Sequence, residues 1–120
     1  MRRAALLLLL TLSPALAAPN YTGAWTFTAR GEDGTVLTQK ARITQVVRGG
    51  RVYLSGYGLS GALRGSTGAF SSVSRDADAT RTYAGTLTFS VRSARGSGTL
   101  KEAYRGGRVI VTHFSITGRR

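Results

Sequence analysis

The sequence predicts an all-β protein: a single antiparallel meander of about eight strands that closes, or nearly closes, into a barrel. Three observations predict it. Beyond residue 18, apolar side chains recur at every second position and never at helical spacing. Clusters of Gly, Asp and Ser interrupt this alternation at short intervals, as chain reversals require. Proline is absent after Pro19, which suits unbroken paired strands. Short links favour neighbours in chain order, and closure removes both exposed edges. A two-sheet β-sandwich is the alternative, with the long second and sixth strands bending between sheets.

The strands follow in order. Trp25, Phe27 and Ala29 share one face and Thr26, Thr28 and Arg30 the other, which gives a first strand over 24–30. Gly31-Glu32-Asp33-Gly34 turns the chain. Leu37, Ala41, Ile43 and Val47 then oppose Thr38, Lys40, Arg42 and Thr44 over 36–47. Gly49-Gly50 is a two-residue hairpin signal, because glycine reaches positive φ without a steric penalty. Strands over 51–57 and 59–65 flank Gly58, and one over 69–75 follows the glycines at 65 and 68. The clearest alternation is Tyr83, Gly85, Leu87, Phe89 and Val91 against Thr and Ser, within a strand over 81–92 that follows Asp76 to Asp78. Arg95-Gly96 reads as the next turn. Strands over 98–104 and 108–118 flank Gly106-Gly107.

The inward phase gives an expected core of Trp25, Phe27, Leu37, Ile43, Leu54, Leu63, Phe70, Tyr83, Leu87, Phe89, Phe114 and Ile116. Small residues share that phase: Ala41, Gly56, Gly61, Gly85 and Gly98. They allow close strand packing or leave a hollow, and a filled interior is the expectation for so short a barrel. Gln39, Gln45 and Glu102 are also in phase with the interior, where a polar group needs a partner.

Residues 1–17 have the pattern of a signal peptide. Met1-Arg2-Arg3 is basic, Ala4 to Leu12 is an apolar run too short to span a bilayer, and Ala15-Leu16-Ala17 is a small-x-small cleavage site. The expectation is an exported protein, in a bacterial periplasm or outside the cell, with one domain over 18–120. There is no cysteine. That excludes disulfides, thiolate metal sites, a cysteine nucleophile and a lipid-modified N-terminal cysteine. The chain carries 17 Lys+Arg against 5 Asp+Glu. Such a surface favours anionic partners, namely nucleic acid, an anionic envelope polymer or a lipid surface, with a protein partner also open.

Two echoes run through the chain. Arg48-Gly49-Gly50-Arg51-Val52 recurs as Arg105-Gly106-Gly107-Arg108-Val109, and Gly23 to Arg30 is similar to Gly85 to Arg92. Arginine beside glycine and tyrosine suggests nucleic acid. Each copy here fits one hairpin, so specific nucleic-acid binding is not expected.

The Gly23-Ala24-Trp25 start resembles the calycin-type barrels, the group that holds lipocalins and avidins. In those families an Arg of the last strand lies over the Trp and closes one end. Arg120, in phase with Ile110, Phe114 and Ile116, is the residue placed for it. The resemblance implies an eight-stranded barrel and a structural closure by Gly23, Trp25 and Arg120. The chain is shorter than lipocalins, lacks their helix and has one Trp where avidin-like sites use several. No ligand or cofactor is therefore implied.

Catalysis finds little support. His113 is the one histidine, and it is out of phase with Phe114 and Ile116, hence on the outside. Gly58-Leu59-Ser60-Gly61-Ala62 misses the nucleophile elbow and no helix follows. Glu32-Asp33 and Asp76/Asp78 are turn residues, too few for a calcium site, and Glu102 is a single inward carboxylate that an arginine would satisfy. An outer-membrane barrel needs an apolar outer face, but the second face here is Thr, Ser, Lys and Arg. The expectation is a non-enzymatic interaction barrel with no metal, no cofactor and no membrane span. The alternative is a lipocalin-like carrier with a small apolar ligand in the barrel mouth near Trp25, Gln39, Gln45, Tyr83 and Glu102. A small hydrolase is the third and weakest reading.

Overall fold

The computed structural model describes residues 19–120; the expected signal peptide lies outside the described residues. Eight strands follow one another: β1 (Gly23–Gly31), β2 (Val36–Arg48), β3 (Arg51–Ser55), β4 (Leu59–Arg64), β5 (Thr67–Arg75), β6 (Ala79–Phe89), β7 (Ser93–Tyr104) and β8 (Val109–Arg119). Each pairs antiparallel with the next, and β8 pairs with β1 to close the barrel. The sandwich alternative is thereby set aside. Register keeps the inward residues opposite one another: Trp25 faces Ala41, Leu87 faces Gly96, and Gly98 faces Phe114.

The Gly49-Gly50 turn takes φ of 55° and 76°, the double positive that a tight twisted hairpin demands. The weakest seam is β3–β4, two short strands that share a single Cα pair, Tyr53 with Ala62. Gly61, expected inside, sits at φ 77° with open space around it. It belongs to the irregular stretch between Ser60 and Arg64.

One boundary differs in a way that matters. The sixth strand ends at Phe89 and not at 92, and β7 begins at Ser93 and not at 98. The chain reverses through Ser90–Arg92, with Ser90 N–H donating to Ser93 C=O at 2.7 Å, and Val91 is exposed at the tip. Gly96 and Gly98 therefore lie within a strand. They are glycine because neighbouring strands leave no room for a Cβ. One on Gly96 would meet Thr86 O at 1.9 Å, and one on Gly98 would meet Ala84 O at 2.5 Å.

The core is Trp25, Phe27, Ile43, Leu54, Leu59, Phe70, Leu87, Phe89 and Ile116, with Tyr21, Ala79 and Ala94 also buried. Three expected core residues, Leu63, Tyr83 and Phe114, are half-buried, and Leu37 is 56% exposed. For Leu37, Tyr83 and Phe114 the difference is longitudinal: Trp25, Phe27 and Phe89, near the β1 N-terminal end, are sealed, and these three face an opening. Leu63 lies instead in the irregular stretch of β4 beside the reversal at 65–66, and Val47, on the inward face of β2, is exposed next to the Gly49-Gly50 turn.

The sealed half is held by aromatic rings set against glycines. Trp25 and Phe27 stack at 6.0 Å, Trp25 meets Phe89 edge-on at 5.4 Å, and Phe27 lies against Tyr57 at 4.1 Å. Phe70 and Phe114 lie over Gly85 and Gly98. A Gly98→Ala substitution would place its methyl 2.5 Å from Ala84 O, 2.9 Å from Phe114 and 3.0 Å from Phe70. Overpacking of this kind is expected to destabilise the barrel by about 1–3 kcal/mol, read as a lower urea midpoint at unchanged slope. A midpoint equal to wild type would show that both the neighbouring strand and the rings have room to move.

Candidate ligand cavity at the open end

The open end holds a cavity of about 500 Å³. Its floor is aromatic: Tyr57, Phe70 and Phe114, with Tyr83 on the wall 6.4 Å from Phe114. Leu37, Ala29 and Leu100 supply apolar wall, and Gln39, Ser72, Thr112 and Glu102 supply polar atoms. The interior is thus filled at one end and hollow at the other, which corrects the expectation of a filled barrel. The cause is side-chain size. Inward positions near the closed end carry Trp25, Phe27, Leu87 and Phe89. Of those that line the cavity, Ala29, Gly31 and Ser72 are small, and Leu37, Tyr83, Leu100 and Phe114 form its apolar wall.

Tyr57 was expected at the end of a strand. It sits instead in the Gly56–Gly58 link with φ 51°, a left-handed conformation that bulky residues rarely adopt. Both flanking glycines also have positive φ, and a Cβ on Gly56 would meet Arg42 O at 2.1 Å. The tight link drives the tyrosine ring into the barrel, where it stacks on Phe27 and is half-buried. Burial raises the pKa of its hydroxyl. Sequence reading missed this residue. Gly-Tyr-Gly is the available signal, since glycines on both sides free a bulky residue to turn inward.

At the rim, Glu102 Oε2 accepts hydrogen bonds from Arg81 Nε and from the Tyr104 hydroxyl, each at 3.0 Å. Arg81 also pairs with Asp76. Asp76 Oδ1 in turn accepts the backbone N–H of Asp78 at 2.8 Å and of Ala79 at 2.9 Å. Those two backbone donors, with the Arg81 guanidinium, hold the Asp76 carboxyl below its usual pKa. The Asp76 and Glu102 hydrogen bonds hold Arg81 more firmly in its charged form. Two carboxylates therefore engage the one inward cation of the mouth. Asp33, also on the cavity rim, accepts the Thr35 N–H, which lowers its pKa.

The other candidates lie elsewhere. Trp25 and Gln45, named as ligand contacts, are at the sealed end. Gln45 Oε1 accepts the Tyr21 N–H at 3.0 Å, and its amide donates to Pro19 C=O at 3.3 Å. Trp25 Nε1 donates to Tyr21 C=O at 2.8 Å. Residues 19–22 therefore cross the sealed end. Arg120 lies over them and over Trp25: one of its terminal nitrogens donates to Asn20 C=O (2.7 Å) and Thr22 C=O (2.9 Å), and its guanidinium carbon is 5.6 Å from the Trp25 ring centroid. Gly23 leaves space for it, since a Cβ there would fall 2.8 Å from Arg120 Cδ. Gln39, Tyr83 and Glu102 do line the cavity.

His113 lies on the outside of β8, with 69% of its side chain exposed. Its backbone N–H donates to Glu32 Oε1 at 2.9 Å, and its Nδ1 is 3.3 Å from the same oxygen. The backbone bond is the main cause of a lowered Glu32 pKa. The pair ties the β1–β2 loop to β8 and reaches no cavity wall. Among the described residues no cluster of three or more His, Asp or Glu is placed to hold a metal.

No protein-family model and no curated protein sequence matches the chain. A solved structure of a redesigned β-barrel is similar at 17% identity, over 83% of this chain and 90% of that one, with a TM-score of 0.41.

The Asp76 latch has a defined pH response. Its folded pKa is depressed, so its contribution to stability is complete above the unfolded value of about 3.9 and disappears as pH falls through the lower folded value. Asp76→Asn is expected to be less stable than wild type at pH 6. The gap should narrow below pH ~4 and close at the acid end. A gap that is constant across this range, followed by urea denaturation, would remove the carboxylate from the account.

Proposed function

We propose that this protein is an exported, non-enzymatic barrel that binds one small, largely apolar molecule at its open end. The cavity carries this reading. Its volume of about 500 Å³ lies within the roughly 300–1,000 Å³ typical of small-ligand sites. It combines an aromatic floor with few polar groups, as such sites do. Export rests on the signal-like residues 1–17. Closure of one end by Trp25 and Arg120 leaves the other end for a ligand.

The chemistry of the walls narrows the cargo. Tyr57, Phe70, Tyr83 and Phe114 offer ring faces and edges, which favour a flat or ring-bearing molecule. Asp33 and Glu102 place carboxylates on the lining, and the nearby Arg81 is already engaged by two acids. An anionic head group would meet repulsion there, so a neutral or cationic ligand is favoured. Gln39, Tyr83 and Glu102 are the proposed polar contacts.

Titration with Nile red, a neutral environment-sensitive fluorophore, tests the site. Saturable enhancement is expected. Ser72→Trp puts a bulky ring into the mouth at a position that is exposed in the folded chain. It should weaken binding at least ~10-fold, the equivalent of about 1.4 kcal/mol, without lowering the thermal midpoint. Tyr83→Ala should also weaken it. A saturable signal that Ser72→Trp leaves unchanged would place the dye elsewhere, and no saturable signal would defeat the proposal.

A further inference from the structure

The carboxylates of this barrel are sorted by end; basic residues lie at both, with Arg30, Arg75, Arg81, Arg105 and Arg108 at the open one. The loops of the open end lie at 32–35, 76–78 and 105–108, and all five carboxylates are there or one turn below: Glu32, Asp33, Asp76, Asp78 and Glu102. The reversals of the sealed end lie at 49–50, 65–66 and 90–92, beside the end of β8. They carry Arg48, Arg51, Arg64, Arg92, Arg95 and Arg119, all exposed, and no carboxylate. Among the described residues none of these six arginines is in an ion pair. The two Arg-Gly-Gly-Arg turns therefore form no common site. One is at each end.

We propose that the sealed end docks on an anionic lipid surface. Every reversal at that end brings an arginine, so the positive groups form a ring on the blunt end of the barrel. Guanidinium groups pair with phosphate oxygens in two-pronged hydrogen bonds. Three exposed valines share the same end: Val46 (41%), Val47 (60%) and Val91 (52%). Apolar tips among cations suit a bilayer interface, where the tips reach below the phosphates. A linear polyanion is better served by a groove that follows its backbone, and a ring on a blunt end offers no such track.

The open end also exposes apolar residues, among them Val36, Leu37, Val73 and Val109. Its basic residues stand among all five carboxylates, which would be pressed against lipid phosphates, so the sealed end, with no carboxylate, is the one directed to the surface. Docking by the sealed end therefore leaves the cavity facing the aqueous side. The proposal stands independently of what the cavity binds.

Vesicle sedimentation with the full chain provides the test. Binding to vesicles that contain phosphatidylglycerol should rise with its fraction and fall steeply with salt. Vesicles of phosphatidylcholine alone should bind far less. Each basic residue near an anionic surface contributes roughly fivefold, so the Arg48→Glu/Arg92→Glu double variant should lose at least ~25-fold in affinity. Arg105→Glu/Arg108→Glu makes the same charge change at the other end and should lose less than about 3-fold. Val47→Asp should weaken binding to a degree between these. All variants keep residues 1–18, so any contribution of that segment is common to them, and Trp25 emission checks the fold of each. Equal losses from the two double variants would overturn the proposal, as would equal binding to both kinds of vesicle. Arg48- and Arg92-dependent retention on heparin, with no binding to phosphatidylglycerol vesicles, would overturn it in favour of a polyanion.

Discussion

The fold depends on a match between large rings and missing side chains. Trp25, Phe27, Phe70, Phe89 and Phe114 are too bulky to coexist inside an eight-stranded barrel unless the facing strands give way. They give way at Gly85, Gly98 and Gly118. A Cβ on Gly118 would fall 2.6 Å from Phe27, and one on Gly85 would fall 2.7 Å from Phe70. The interior of such a barrel is just wide enough for side chains to fill. Concentrating large rings near one end therefore decides where the space is left over. The cavity is the complement of the core: above Phe70 and Phe114, the small residues Ala29, Gly31 and Ser72 leave it open.

This longitudinal division also explains the polar networks. A charge on the inward phase must be satisfied locally, because a low-dielectric interior penalises it otherwise. Two arginines have that phase, one at each end. Arg120 spends its donors on the carbonyls of Asn20 and Thr22 while its face covers Trp25. Arg81 spends its donors on Asp76 and Glu102. The first arrangement helps to seal an end. The second ties the β5–β6 loop to β7 and leaves the mouth open beside it.

Much of this was legible in the sequence. Alternation carried strand number, order and facing, and Gly49-Gly50 carried the turn with both residues at positive φ. The inward phase of Glu102 pointed to an arginine partner, and Arg81 is that partner. Three features were not legible, each for a physical reason. Glycine marks both turns and crowded strands, so Gly96 read as a reversal when it is a site of close strand approach. Parity gives the face of a residue but not its height along the barrel. Leu37 and Trp25 are both inward, yet one lines an open cavity and the other is sealed. Tyr21 and Tyr57 lie outside any strand, so no period could place them, although both enter the packing.

The exterior arginines need a separate explanation, because nothing inside the barrel requires them. The inward cations are matched within the protein. Among the described residues the outward ones at the sealed end make no ion pair, and like charges gathered on one end repel and reduce the stability of the folded state. Solubility alone would be served by charges spread over the surface with both signs mixed. Here the carboxylates gather at the mouth, beside Arg30, Arg75, Arg81, Arg105 and Arg108, and the arginines of the base have no carboxylate among them. A cluster that opposes folding and satisfies no internal group is relieved when an external anion supplies the missing counter-charge. Relief is greatest when one continuous anionic plane meets all of the basal turns together.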